Sequence, residues 1–159
     1  MTQRIDYQKQ SPELFRKFLA FSMAFEQSAI EEPIRDLVDI RASQINGCAF
    51  CLDMHIKAAT IHGERPLRLH HVVIWRESNL FSPRERAALA WTEALTRLPA
   101  DGVPNSVYER VRTQLSELEL SDLTFLVMAI NAWNRVNIAF QTVPGTFDKA
   151  YGIDKSGLA

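Results

Sequence analysis

The chain has 159 residues and a mass of 18.1 kDa, with 47% hydrophobic and 23% charged residues. This length and composition are typical of one globular domain and exclude an intrinsically disordered chain. The net charge of -1 and the pI near 6.4 provide no general attraction to nucleic acid or to an anionic membrane. We therefore predict a single domain over residues 1–159, with neither nucleic acid nor a membrane as its partner.

The amino terminus indicates the compartment. Its first ten residues, MTQRIDYQKQ, are polar and lack the apolar core of a secretory signal peptide. No apolar run approaches the roughly 18 residues that a bilayer-spanning helix needs. We expect a cytoplasmic, reducing location, where a close pair of cysteines is more often catalytic or metal-binding than structural.

Hydrophobic periodicity predicts helices along the chain and no sustained strand. The first helix starts at Ser11-Pro12, with serine as the N-cap and proline at the first helical position. The other predicted helices run from Pro33 to Asn46-Gly47, from about Cys48 to His62-Gly63, from Pro66 to about Asn79, from a capping box at Ser82 to Pro99, from about Asn105 to Leu115, and from a capping box at Ser116 to about Gln141. The tail after Gln141 has no strong periodicity. The predicted fold class is all-α, a single-domain bundle of about six to seven helices.

Two cysteines, Cys48 and Cys51, form the Cys-x-x-Cys stretch NGCAFCLDMH. Because Asn46-Gly47 ends one helix, the cysteines fall in the first turn of the next. Backbone N–H groups there lack helical partners and the helix dipole is positive, so both effects favour thiolate over thiol. Only the thiolate attacks peroxides or disulfides, and this spacing allows the two sulfurs to join as a disulfide.

His55 follows Cys51 by one helical turn, so the two side chains share a face and the imidazole could take the thiol proton. Asp36 is the predicted orienting carboxylate. It precedes Asn46 by about as many residues as His55 follows it, so an antiparallel hairpin would bring the two level. The pattern then resembles a nucleophile, a base and an orienting group.

Simpler explanations exist for each residue. The cysteine pair could be buried and inert, His55 could be an ordinary helix histidine, and Asp36, like Asp39, could be one of many surface carboxylates. Zinc is another alternative: the cysteine pair and His55 could supply three ligands, with His62, His70 or His71 as the fourth. No second Cys-x-x-Cys or His-x-His pair completes the usual structural pattern, so we expect no metal.

Other conspicuous side chains lie on the predicted helices. The tryptophans, Trp75, Trp91 and Trp133, have apolar neighbours and are expected in the core or at a subunit interface. Polar residues of the stretch INAWNR interrupt an otherwise apolar helix, so we expect them to satisfy buried groups or hold a helix contact. The aromatic first helix carries more apolar surface than a small monomer readily hides, which favours self-association.

The stretch DLVDIRASQINGCAFCLDMHIKAATIHGE, residues 36 to 64, resembles the core of the alkylhydroperoxidase D-like family. That family is the thiol-peroxidase branch of the carboxymuconolactone decarboxylase superfamily. Its pattern is a glutamate, Cys-x-x-Cys twelve residues later, and a histidine after three more residues. Cys48, Cys51 and His55 match it position for position. Residues 75 to 96 and 130 to 135 resemble stretches that recur in peroxidase-related members.

The resemblance implies a role for each matching residue. Cys51 would be the attacking thiol, Cys48 the resolving thiol, and His55 part of the proton relay. Asp36 falls where the family has its relay glutamate and is one methylene shorter, so a bridging water or a small helix shift would be needed to link it to His55. A second departure is Phe50, which stands between the cysteines where some members have a further histidine.

The resemblance also implies an antioxidant peroxidase without flavin, haem or metal. Its electrons would come from a thiol or lipoyl-type donor, some members pass electrons to a peroxiredoxin, and the subunits would form a homo-oligomer, a trimer or hexamer. One alternative is the decarboxylase branch of the superfamily, whose enzymes do not rely on a Cys-x-x-Cys pair. The other is a non-enzymatic redox-sensing oligomer that forms the disulfide with negligible peroxide turnover.

Overall fold

A computed structural model describes residues 2–158, and the regular structure in that range is entirely helical. The predicted all-α fold class is thus confirmed. Within this range there are nine α-helices, more than the six to seven expected, because two of them are single four-residue turns that carry no readable periodicity. The α-helices are α1 Tyr7–Gln10, α2 Pro12–Met23, α3 Glu32–Asn46, α4 Ala49–Ile61, α5 Pro66–His71, α6 Pro83–Thr96, α7 Asn105–Arg112, α8 Glu117–Phe140 and α9 Asp148–Tyr151. Short 3-10 helices cover Ala24–Gln27, Val72–Ile74 and Asp154–Ser156.

Local capping signals locate most helix starts. Both predicted capping boxes are present, with Ser82 before α6 and Ser116 before α8 each exchanging hydrogen bonds with the glutamate three residues on. Ser11 occupies the N-cap position of α2, but its hydroxyl makes no capping bond. Ser11 also ends α1, where its N–H donates to the Tyr7 carbonyl, and its ψ of 58° departs from the extended ψ of 161° and 172° at the capping serines Ser82 and Ser116. The helix after Pro66 is shorter than predicted, because its last turn tightens into a 3-10 helix.

Helix α3 lies at the centre and packs against α4, α6 and α8. Its apolar residues belong to two separate cores, with Val38 packed among residues of α6, α7 and α8, and Leu37 among residues of α4 and α6. Trp75 and Trp91 are buried in these cores, as expected. Because α3 contributes to both cores, it is a rigid support for the side chains on its remaining face.

A third apolar cluster surrounds the cysteines and includes Phe50 and Ile130. The carboxyl-terminal segment folds back onto it. Phe147 meets Phe50 edge to face at 5.9 Å between ring centroids, and the Lys57 ammonium bonds to the Asp148 carboxylate at 2.7 Å. The tail after Gln141, which shows no strong periodicity in the sequence, therefore covers the start of α4.

Helix α2 packs its aromatic face on α8 without being enclosed. The Phe18 and Trp133 rings lie 4.4 Å apart, and the Trp133 indole N–H donates to the Ser22 hydroxyl. No residue of α2 is fully buried, and Leu14 is 72% exposed. Self-association through this surface stays a prediction. Between residues 2 and 158 no helix is long and apolar enough to cross a membrane.

Candidate active site

The turn between α3 and α4 is held from outside by α8. Gly47 ends α3 in the left-handed conformation that glycine adopts without strain. The Asn46 side-chain amide donates to the side-chain oxygens of Asn131 and Asn134, at 3.0 and 2.8 Å. Asn134 is fully buried and donates in turn to the Ser43 hydroxyl. The helix contact expected of the INAWNR stretch is therefore present, and it fixes the chain immediately before Cys48.

Cys48 is the N-cap of α4 and Cys51 lies in its first turn, as predicted. The Cys48 sulfur accepts a hydrogen bond from the Cys51 backbone N–H at 3.3 Å. The two cysteines are joined as a disulfide, with their Cα atoms 5.4 Å apart. They are buried, at 2% and 1% exposed. The pair can therefore store two electrons in a site that bulk solvent barely reaches.

A cavity of about 680 Å³ opens beside Cys51. Its apolar walls come from α2, α4, α8 and the neighbouring 3-10 helix. The apolar lining residues are Leu19, Phe25, Phe50, Met54, Leu126, Ala129, Ile130 and Trp133. Cys51 belongs to the lining and Cys48 does not, so a molecule in the cavity meets Cys51 first.

His55 lines the same cavity, and 17% of its side chain is exposed. Burial lowers its pKa to about 4, so the imidazole is neutral near pH 7 and free to accept a proton. Its Nδ1 atom lies 3.5 Å from a carboxylate oxygen of Asp39. Burial, reinforced by the like charge of Asp36, holds the pKa of Asp39 well above its usual range. Asp39 is thus the carboxyl group that accompanies His55.

Asp36 does not pair with His55. Its carboxylate bonds to Nδ1 of His62 at 2.7 Å instead, while both residues still line the cavity. The two helices form the expected hairpin, but Gly47 and Cys48 separate them, so the residue level with His55 lies about one turn closer to the hairpin turn than counting from Asn46 predicted. Because of this shift, Asp39 rather than Asp36 lies level with His55.

Comparison with known proteins places this arrangement in a family. A profile of the carboxymuconolactone decarboxylase family matches residues 12–94. The chain belongs to this family. The uncharacterized protein YdfG of Bacillus subtilis is 40% identical over 139 residues, covering 87% of this chain and 95% of that protein. The uncharacterized protein YnjA of Escherichia coli is 33% identical over 115 residues, covering 72% of this chain and 62% of that one.

Solved structures agree on the fold. A protein of unknown function, ATU0492 of Agrobacterium tumefaciens, superposes with a TM-score of 0.87 at 36% identity, covering 91% of this chain and 99% of that one. It has been proposed to be the antioxidant defence protein AhpD. An uncharacterized peroxidase-related protein of Silicibacter sp. superposes with a TM-score of 0.76 at 22% identity, covering 86% and 72%. The resemblance read from residues 36 to 64 is confirmed at the level of family and fold.

Three residues of this carboxymuconolactone decarboxylase family member escaped the sequence analysis as site residues. Asp39 had a signal, since it lies on the same face of α3 one turn after Asp36. His62 was considered only as a zinc ligand, and Asn137 had no signal at all, although its amide nitrogen lies 3.7 Å from the Cys51 sulfur. No three His, Cys, Asp or Glu side chains in residues 2–158 are grouped to hold a metal ion.

Proposed function

We propose that this protein is a thiol-dependent peroxidase, reducing hydroperoxides through a dithiol–disulfide cycle of Cys48 and Cys51. One observation carries the proposal: the sulfur of a disulfide-capable pair faces a cavity that also holds a buried histidine with its carboxyl partner. The antioxidant defence role proposed for the similar protein ATU0492 supports it. The expected electron donor is a thiol or lipoyl-type dithiol.

The first step oxidises Cys51. His55 takes the thiol proton, and the thiolate attacks the outer peroxide oxygen, so that an S–O bond forms as the O–O bond breaks. The leaving alkoxide takes a proton from the imidazolium and departs as an alcohol. The peroxide gains two electrons and Cys51 becomes a sulfenic acid.

The second step closes the disulfide and the third reopens it. The Cys48 sulfur attacks the sulfenic sulfur, and the hydroxyl group leaves with the Cys48 proton as water. An external dithiol then attacks the disulfide, passes through a mixed disulfide and is itself oxidised, returning both thiols. Because both sulfurs are buried, we expect that donor to reach them through the cavity.

A stopped-flow titration with cumene hydroperoxide tests this proposal. The reduced protein should lose both of its thiols per peroxide consumed. Cys51→Ser should abolish the reaction, and Cys48→Ser should halt it at a sulfenic acid that dimedone traps. Cys48→Ser is a well-matched variant, because serine is itself a favoured N-cap and keeps the start of α4 intact. A wild-type protein that reacts no faster than free cysteine would overturn the proposal.

A further inference from the structure

Asn137 is a buried amide that lines the cavity and contacts Cys51. It lies on α8, opposite the start of α4, and is 4% exposed. Its Nδ2 atom is 3.7 Å from the Cys51 sulfur and 2.9 Å from the Trp133 carbonyl oxygen. Its Oδ1 atom is 3.3 Å from the Tyr7 hydroxyl. Every polar atom of the amide therefore has a partner.

These contacts determine which end of the amide faces the sulfur. A backbone carbonyl only accepts hydrogen bonds, so the atom beside the Trp133 oxygen must be the NH₂ group. The same NH₂ group has its second hydrogen available for Cys51. Tyr7 fixes the other end, because burial raises the pKa of its phenol and keeps it a hydrogen-bond donor to Oδ1. Asn137 thus presents a donor to the sulfur.

We propose that Asn137 is a catalytic residue that donates a hydrogen bond to the Cys51 sulfur and stabilises its thiolate, and that Tyr7 positions it. The inference rests on the proposed function for its role in peroxide reduction. A neutral thiol or a disulfide sulfur is a weak acceptor, whereas a thiolate accepts charge-assisted hydrogen bonds of about twice the usual strength. The hydrogen bond from Asn137 is therefore strongest when Cys51 is a thiolate, which is the state that reacts.

The two sulfurs have separate donors. Cys48, as the N-cap, receives the backbone N–H of Cys51, while Cys51 receives the side-chain amide of Asn137. Besides Cys51, the titratable and charged side chains that line the cavity are Tyr7, Glu26, Glu32, Arg35, Asp36, Asp39, His55, His62 and Tyr151. Of these, His55 lies on the same helix face as Cys51 and has Asp39 as its carboxyl partner. His55 moves the proton of Cys51, and Asn137 holds the charge that the departing proton leaves behind.

The test measures thiol reactivity without any peroxide. In a Cys48→Ser background Cys51 is the sole cysteine, and its alkylation by iodoacetamide is followed from pH 5 to pH 10. Asn137→Leu should slow alkylation at pH 7 roughly tenfold, a factor that corresponds to about 1.4 kcal/mol, and should move the midpoint of the profile to higher pH. Tyr7→Phe should move the midpoint in the same direction by less.

Two further variants secure the result. Asn137→Asp keeps the shape but replaces the donor with a carboxylate, so it should slow alkylation at least as much as Asn137→Leu. Asn105→Asp makes the same chemical change on α7, which contributes nothing to the cavity, and should leave the profile unchanged. Folding is checked by circular dichroism. Folded Asn137→Asp and Asn137→Leu proteins that alkylate like their parent would overturn the inference. If wild-type protein ignores hydroperoxide while the Asn137 variants still slow alkylation, the inference stands and the proposed function fails.

Discussion

Replacing the carboxyl group beside His55 should slow peroxide reduction more than replacing the one in the family's glutamate position. When His55 accepts the Cys51 proton it becomes a cation, and Asp39 lies 3.5 Å from its Nδ1 atom. Two unit charges at that separation attract by about 5 kcal/mol at an effective dielectric constant near 20. Burial opposes the ionisation of Asp39, so only part of this attraction is realised. A hydrogen-bonding partner of a charged group contributes about 2 kcal/mol. Asp39→Asn should then slow the oxidation of Cys51 about thirtyfold.

Asp36→Asn is the matched comparison. Asp36 is committed to His62, and its loss removes a like charge that disfavours ionised Asp39, so the rate should change by less than about threefold. The assay is the second-order rate of Cys51 oxidation by cumene hydroperoxide in single-turnover stopped flow at pH 7. In wild-type protein His55 should stay neutral down to about pH 4, since burial lowers its pKa to about 4. An imidazole with so low a pKa is a weak base, so proton transfer from Cys51 should depend on the stabilisation of the imidazolium by Asp39. A larger loss of rate in Asp36→Asn than in Asp39→Asn would refute the reasoning. It would indicate that Asp36, the carboxylate predicted from the sequence, is the partner of His55.

Three further predictions concern the elements that hold the site. Asn134→Leu deprives the Asn46 amide of a partner inside the protein and should lower the free energy of unfolding by about 2–3 kcal/mol in urea titrations. No change would mean that water replaces the lost bond. Lys57→Met leaves the Asp148 carboxylate without its cation, so hydrogen exchange should accelerate in α9 while α8 keeps its protection. Equal exchange in both proteins would show that aromatic packing alone holds α9. Glu119 has its pKa lowered to about 2 by its ion pair and hydrogen bonds, so its stabilisation is present above its ordinary value of 4.5 and is lost as the pH falls towards 2. In Glu119→Gln the free energy of unfolding should fall less steeply between pH 4.5 and pH 2. An unchanged curve would mean that other carboxylates cause the loss of stability in this range.

Local signals carried most of the fold prediction. The capping boxes at Ser82 and Ser116, and the glycine after Asn46, each specify a helix end within a few residues of chain, so they could be read without knowing the tertiary structure. Single turns such as α1 and α9 have no period to detect, and they exist because they pack on the rest of the molecule. The one-domain prediction over residues 1–159 stays a prediction.

The site was predicted only where its residues are close in sequence. Cys48, Cys51 and His55 share the start of one helix, so their spacing alone places them together. The partner of His55 depends on the exact register between two helices, and a shift of one turn exchanges Asp36 for Asp39. Asn137 reaches Cys51 from 86 residues away, across a helix contact that no local pattern encodes.

The position of the reacting groups along the chain has a consequence for how this protein can change. The two cysteines, His55, His62, Asp36 and Asp39 all lie on one hairpin, formed by α3 and α4 with the caps of α4. Much of the apolar wall of the cavity comes instead from α2 and α8. Substitutions at Phe25 or Trp133 would reshape what fits against the sulfur without altering the groups to which the proposed cycle assigns electron and proton transfer. In the proposed cycle, selectivity and reactivity would therefore be separable traits of this scaffold, and either could be retuned, by natural drift or by design, while the other is kept.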